Sequence, residues 1–167
     1  MPSPRGKEKL EFVKFSPGPK GHVEYTDFKD CYELNNHQVQ LATSQGDGSG
    51  AYLPPLEFHI KLGEADAEQF LNTCRNNNKK IKSVKYTSTQ VYDEERKKKR
   101  DIEYSELTFR NVVHMPNVGE DTVTVMLTIE YNKAKGTVTQ YKPDGTVDKT
   151  TQVDIDLRKG QFTKSKL

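Results

Sequence analysis

From Asp121 onward the chain reads DTVTVMLTIEY, and polar and apolar residues alternate without a break. Val123, Val125, Leu127, Ile129 and Tyr131 fall on one face, and Thr122, Thr124, Met126, Thr128 and Glu130 on the other. A sustained period of two, rich in β-branched residues, predicts a half-buried β-strand. The stretch before it, IEYSELTFRNVV from Ile102 to Val113, also alternates but changes phase once. Ile102 and Tyr104 share one parity, and Leu107 and Phe109 take the other. One extra residue near Ser105 would do this, so a bulge is expected there. Pro116 and Gly119 in HMPNVGED mark a turn, which makes the two stretches a long antiparallel pair.

The same pattern extends along the chain. Leu10, Phe12 and Val13 begin a strand that ends at SPGPKG. A second strand is expected from Phe28 to Leu41, interrupted by Asn35 and Asn36. Gly46, Gly48, Gly50, Pro54 and Pro55 mark a long loop, and then Leu56, Phe58 and Ile60 alternate as a strand. Ala67, Phe70, Leu71 and Cys74 recur at helical spacing, so Glu64 to Asn76 should be a helix with one apolar stripe, packed on the outside of a sheet. Glu64, Asp66 and Glu68 near its start and Arg75 near its end suit the helix dipole. Ile81 to Tyr92 is the next strand, and Asp101 to Val113 is expected to pair with it across the connector DEERKKKRD, read as a solvated hairpin tip. A last hairpin runs through Val138 and Tyr141, turns at KPDGT, and returns through Val147, Val153, Ile155 and Leu157. Pro143 presets φ for that turn and Gly145 accepts positive φ. Eight or so strands and one helix predict an all-β, mainly antiparallel fold: a β-barrel of two sheets with one flanking α-helix.

Composition sharpens this picture. Only 32% of the chain is apolar and 30% is charged, so the core must be thin, or a sheet must be wet on both faces. With 26 basic and 24 acidic residues, the chain lacks the basic excess of a dedicated nucleic-acid binder. The basic run Arg96 to Arg100 is nearly cancelled by Asp93, Glu94, Glu95 and Asp101, and no aromatics interleave with it. Cys31 and Cys74 are too few for a disulfide scaffold and read as small core residues in a reducing compartment. MPSPRGKEKLEF carries no apolar signal region, and no apolar run reaches the length of a membrane span, so folding is expected in the cytoplasm.

Candidate chemistry is sparse. His22, His37, His59 and His114 stand at no metal-ligand spacing from another His or from a Cys. The glycine-rich GDGSG lacks the Gly-Lys-Ser/Thr end of a phosphate loop, and no nucleophile elbow of the Gly-x-Ser-x-Gly kind is present. Neither catalysis nor a cofactor is expected.

The order of elements, with LEFHIKL, ADAEQFLNTCRNN, IEYSELTFRNVV, TVTVMLTIEYNKAKGTVTQYKPDGT and the terminal IDLRKG, resembles the hemolysin-coregulated protein family, the inner-tube subunits of type VI secretion systems. Phe70, Leu71 and Cys74 match the family's helix stripe, Tyr104, Leu107 and Val112 its central strand, and Asp144 and Gly145 its late turn. Ile155 to Arg158 match an end segment that often begins with tryptophan, a residue this chain lacks. The resemblance implies a single domain over residues 10–160, with flexible tails at 1–9 and 161–167. It implies hexameric rings stacking into a tube that a sheath drives out of the cell without a signal peptide. Sheath, spike and baseplate proteins and effectors in the lumen are the implied partners. The loop Ala42 to Pro55 is then expected to reach a neighbouring subunit or ring, through Gly46, Asp47, Gly48 and Gly50 with Tyr52 and Leu53 as apolar anchors. Two other readings fit the pattern: a tail-tube protein of a contractile phage or injection particle, and a monomeric β-barrel carrier of a small ligand.

Overall fold

The computed structural model describes residues 9–23, 26–34, 55–77, 81–156 and 161–162. The chain runs β1 (Lys9–Ser16), a 3-10 turn (Thr26–Phe28), β2 (Tyr32–Glu33), β3 (Leu56–Gly63), α1 (Glu64–Asn77), β4 (Ser83–Tyr92) and β5 (Glu95–Ser105). It continues through β6 (Thr108–Pro116), β7 (Thr122–Glu130), β8 (Lys133–Tyr141), β9 (Val147–Asp156) and β10 (Gln161–Phe162). Among the described residues these strands form two antiparallel sheets, one of seven strands in the order β10-β9-β8-β5-β4-β1-β2 and one of three in the order β3-β7-β6. No strand is shared between them, so the barrel is two sheets facing one another rather than a closed ladder.

The alternation in β7 is obeyed. Val123, Val125, Leu127 and Ile129 are buried, and each stands opposite an inward residue of β3: Leu62, Ile60, Phe58 and Leu56. From the other sheet Val13 and Phe15 of β1, Val84 and Tyr86 of β4, and Ile102 and Tyr104 of β5 point into the same core. Phe58 stacks on Tyr86 across the gap, their ring centroids 6.1 Å apart. Apolar transfer from water drives this contact, at about 25 cal/mol per Å² of apolar surface buried.

The helix forms where its stripe predicts, but it does not lie outside a sheet. Ala67, Phe70, Leu71 and Cys74 are all buried within the core that joins both sheets. The Phe70 ring meets Phe15 at 5.6 Å and Tyr32 at 5.0 Å, both edge-on. A stripe this narrow seals the side of the space between two sheets, where open sheets would otherwise expose their core to water.

The phase change after Tyr104 is a corner, not a bulge. β5 ends at Ser105 in the seven-stranded sheet and β6 begins at Thr108 in the three-stranded one. Glu106 turns the corner with φ of 56°, and the Asn132 amide donates to the Ser105 carbonyl at 3.2 Å where the chain returns. The parity flips because both halves must aim at one core from opposite sides. Only Thr108 to Pro116 therefore pairs with β7, while Asp101 to Ser105 pairs with β4 and β8. A bulge does occur farther on, between Phe109 and Asn111, where Arg110 is the extra residue.

Two other expectations change. The connector DEERKKKRD is not a long tip: Asp93 and Glu94, with φ of 50° and 65°, make a two-residue hairpin turn, and Glu95 to Arg100 is paired strand. The second strand shrinks to Tyr32–Glu33, preceded by the turn at Phe28, and its expected remainder at 35–41 lies outside the described residues. Residues on either side of this turn instead cover the back of β1. Val23, Phe28 and Cys31 bury Leu10 and Phe12 in a second, smaller core, with Phe12 and Phe28 stacked at 4.4 Å. At the late hairpin the expected turn is present: Gly145 has φ of 90°, and the Asp144 carboxylate accepts from the Thr146 amide at 2.9 Å. Gln161 and Phe162 pair with Asp156 and Ile155, inside the segment expected as a tail.

Candidate functional site

Among the described residues no group of three His, Cys, Asp or Glu side chains is placed to hold a metal. His59 lies 3.4 Å from Glu57 and His114 lies 3.9 Å from Glu68, while His22 is exposed. Cys31 and Cys74 are free thiols, one in each core. Burial pushes the Cys74 thiol up to about 12 and raises Cys31 as well. A thiol held protonated in this way is a poor nucleophile and metal ligand at neutral pH. Four tyrosines, Tyr32, Tyr86, Tyr104 and Tyr131, are likewise raised, first of all by burial.

The residues picked out in sequence fall into two groups. The stripe of Ala67, Phe70, Leu71 and Cys74 is core and offers nothing to a partner. The loop positions Gly46, Asp47, Gly48, Gly50, Tyr52 and Leu53 lie outside the described residues. What the structure adds is a set of surfaces that alternation alone does not mark.

The first surface is the outer strand β6. It pairs only with β7 among the described residues, and its outward Val113 and Met115 are 45% and 43% exposed. An edge strand with apolar side chains readily pairs or packs with another chain. Beyond β6 the turn to β7 carries Val118, which is fully exposed. Asn117 anchors this turn: its amide donates to the Thr122 carbonyl at 3.0 Å, and its side chain bridges Thr122 and Thr124. Glu120 is held by Lys61, 2.9 Å away, which lowers the Glu120 carboxyl below its ordinary range.

The second surface belongs to the seven-stranded sheet. Its outward face near β5 is a lattice of charges, with Asp101 lying 3.7 Å from Lys85 and 3.8 Å from Lys98. The inward face also turns polar beyond Tyr86. There Glu11, Ser88, Arg100 and Gln140 line an open cavity of about 720 Å³, with Lys9 and Lys99 at its border. The hydroxyl of Tyr86 donates to Glu11. The inner face is thus wet beyond Tyr86, while the outer face of β1 behind it is closed by the Leu10, Phe12 and Phe28 cluster.

No protein-family model matches the chain, and no curated protein matches it. Solved structures do match its fold. One described as a type six secretion system protein superposes with a TM-score of 0.71 at 9% identity, covering 92% of this chain and 99% of the other. Hcp1 from Salmonella typhimurium gives a TM-score of 0.66 at 12% identity, over 93% of this chain and 99% of its own. The secreted protein Hcp3 from Pseudomonas aeruginosa gives 0.53 at 7% identity, over 89% and 97%. The chain therefore has the Hcp fold.

Proposed function

We propose that this chain is a structural tube subunit of a type VI secretion system. Copies close into a ring, six by the likeness, and rings stack into a tube that is driven out of the cell with effectors in its lumen. The observation that carries this reading is the fold match, which leaves almost nothing of either chain unmatched. The open polar cavity on the inner face and the charged outward face near β5 support it, because a ring subunit needs one face for a water-filled channel and others for its neighbours. The subunit works without catalysis or cofactor, and binds neither nucleic acid nor a bilayer. It assembles in the cytoplasm and is exported as part of the tube. Its partners are other copies, the sheath, spike and baseplate, and the cargo. Among the described residues no helix is long and apolar enough to cross a membrane.

The small-ligand carrier would need an enclosed apolar cavity, whereas the cavity here is open and lined by Arg100, Lys99 and Glu11. A tail-tube role is separated from secretion by neighbouring genes, since membrane-complex genes accompany only the latter. The direct test is export. The chain should appear in the medium of cells with an intact sheath and be retained when the sheath gene is deleted. Equal release from both strains would overturn the reading. In the same assay, deletion of 45–50 tests the loop of Gly46, Asp47, Gly48, Gly50, Tyr52 and Leu53: rings that form but do not stack assign it to stacking, and unchanged stacking and export reject that role.

A further inference from the structure

Arg100 sits on the same side of β5 as Ile102 and Tyr104, because alternate residues of a strand share a face. It is half-buried, yet it makes no hydrogen bond or ion pair among the described residues. Lys99, beside it, is the extra residue of the β4–β5 bulge, since Ser88 stands opposite Arg100 and Thr89 opposite Lys98. Lys9 borders the same cavity, and Val138, opposite Arg100 on β8, gives it an apolar floor. The cavity's carboxylate, Glu11, already accepts from the Tyr86 hydroxyl. The cavity thus presents three cationic side chains against one carboxylate, a positive excess around a small apolar patch, and half-buried charge without a full counter-charge is costly.

The complementary shape and charge occur elsewhere on this same chain. The turn at 117–121 projects Val118, fully exposed, with Asp121 exposed beside it. Asp121 makes no ion pair among the described residues, unlike Glu120. The turn is pinned by the Asn117 and Glu120 contacts already described, and by the Glu120 amide donating to the Asn117 carbonyl at 3.1 Å. A projection fixed in this way has little freedom left to lose on docking. No residue of the turn lines the cavity of its own chain.

We infer that the 117–121 turn of one copy docks into the Arg100 cavity of the next, with Val118 against Val138 and the Asp121 carboxylate on the Arg100 guanidinium. Knob and cavity are different patches, so the contact is head-to-tail, the kind that closes a ring. This rests on the tube-subunit reading and names the contact that reading requires.

Charge reversal tests it. Asp121→Arg and Arg100→Glu should each lower the fraction of chain in rings by about tenfold or more, read by light scattering on a sizing column, because each sets like charges together. An equal mixture of the two variants should restore rings, since each supplies the partner that the other needs. That rescue also excludes misfolding as the cause of the loss. Rings lost with Arg100→Glu but kept with Asp121→Arg would give the cavity another occupant and overturn the inference. Rings untouched by either change, or not restored on mixing, would also overturn it while leaving the tube reading in place. A wild-type chain that stays monomeric would remove the tube reading and this contact together.

Discussion

The two ends of β5 lie in one strand and both pair with β4, yet one end is core and the other is surface. At its C-terminal end Ile102 and Tyr104 are buried beneath the three-stranded sheet. At its N-terminal end Arg96 to Arg100 face water, charge lattices or an open cavity. β8 pairs only with Arg100 to Ser105, a bulge at Lys99 separates the two ends, and the three-stranded sheet covers only part of the larger one. A period of two therefore reports pairing and pleat, and burial depends on a layer that another part of the chain supplies.

The contrast can be broken most strongly from the covered side. Phe70 is 1% exposed and contacts Phe15 and Tyr32, so Phe70→Ala should cost about 3–5 kcal/mol in denaturant unfolding. A loss under about 1 kcal/mol would show that the stripe is not core. Next is Gly136, on β8 opposite Ile102. A Cβ there would lie 2.1 Å from the Asp101 carbonyl oxygen and 2.6 Å from the Ile102 Cα. Backbone has to move to admit it, and Gly136→Ala should cost about 1–3 kcal/mol, as overpacking does.

A third contrast is read by pH. Burial raises Tyr131 from its ordinary value of 10.0 to about 12. Its folded form therefore keeps a proton that the unfolded chain releases. That contribution to stability is fully present below pH 10 and is lost as pH rises toward about 12. Tyr32, Tyr86 and Tyr104 shift in the same direction. Phenolate absorbance from these four should appear together with alkaline unfolding. If it rises while the fold is intact, the covered end is wetter than described. The smallest effect belongs to the uncovered end. Val147 on β9 is 57% exposed, and Val147→Thr should change stability by no more than about 0.5 kcal/mol.

Much of the fold was legible because local signals and tertiary demands agreed. β3, α1, β7 and the Pro143–Gly145 hairpin lie where periodicity and turn chemistry put them. The corner at Glu106 was not legible, because a strand that changes sheets and a strand with one extra residue give the same phase slip. The β4–β5 turn was hidden by charge: a basic run looks like loop, although Arg96 to Arg100 lie in a strand paired with β4, with Lys99 as the bulge. The candidate contact was hidden for the same reason. Arg100 is one of five basic residues in a row, and only the pairing register places it on the inner face. Val118 looked like any turn residue until its neighbours proved to be pinned.

The central claim is that this fold exists to assemble. The mass of the purified chain in solution, measured by light scattering across a range of concentrations, tests it most directly. The account predicts a species of six chains that dissociates only on dilution or at high salt. A chain that remains a monomer at the highest concentration reached would contradict it.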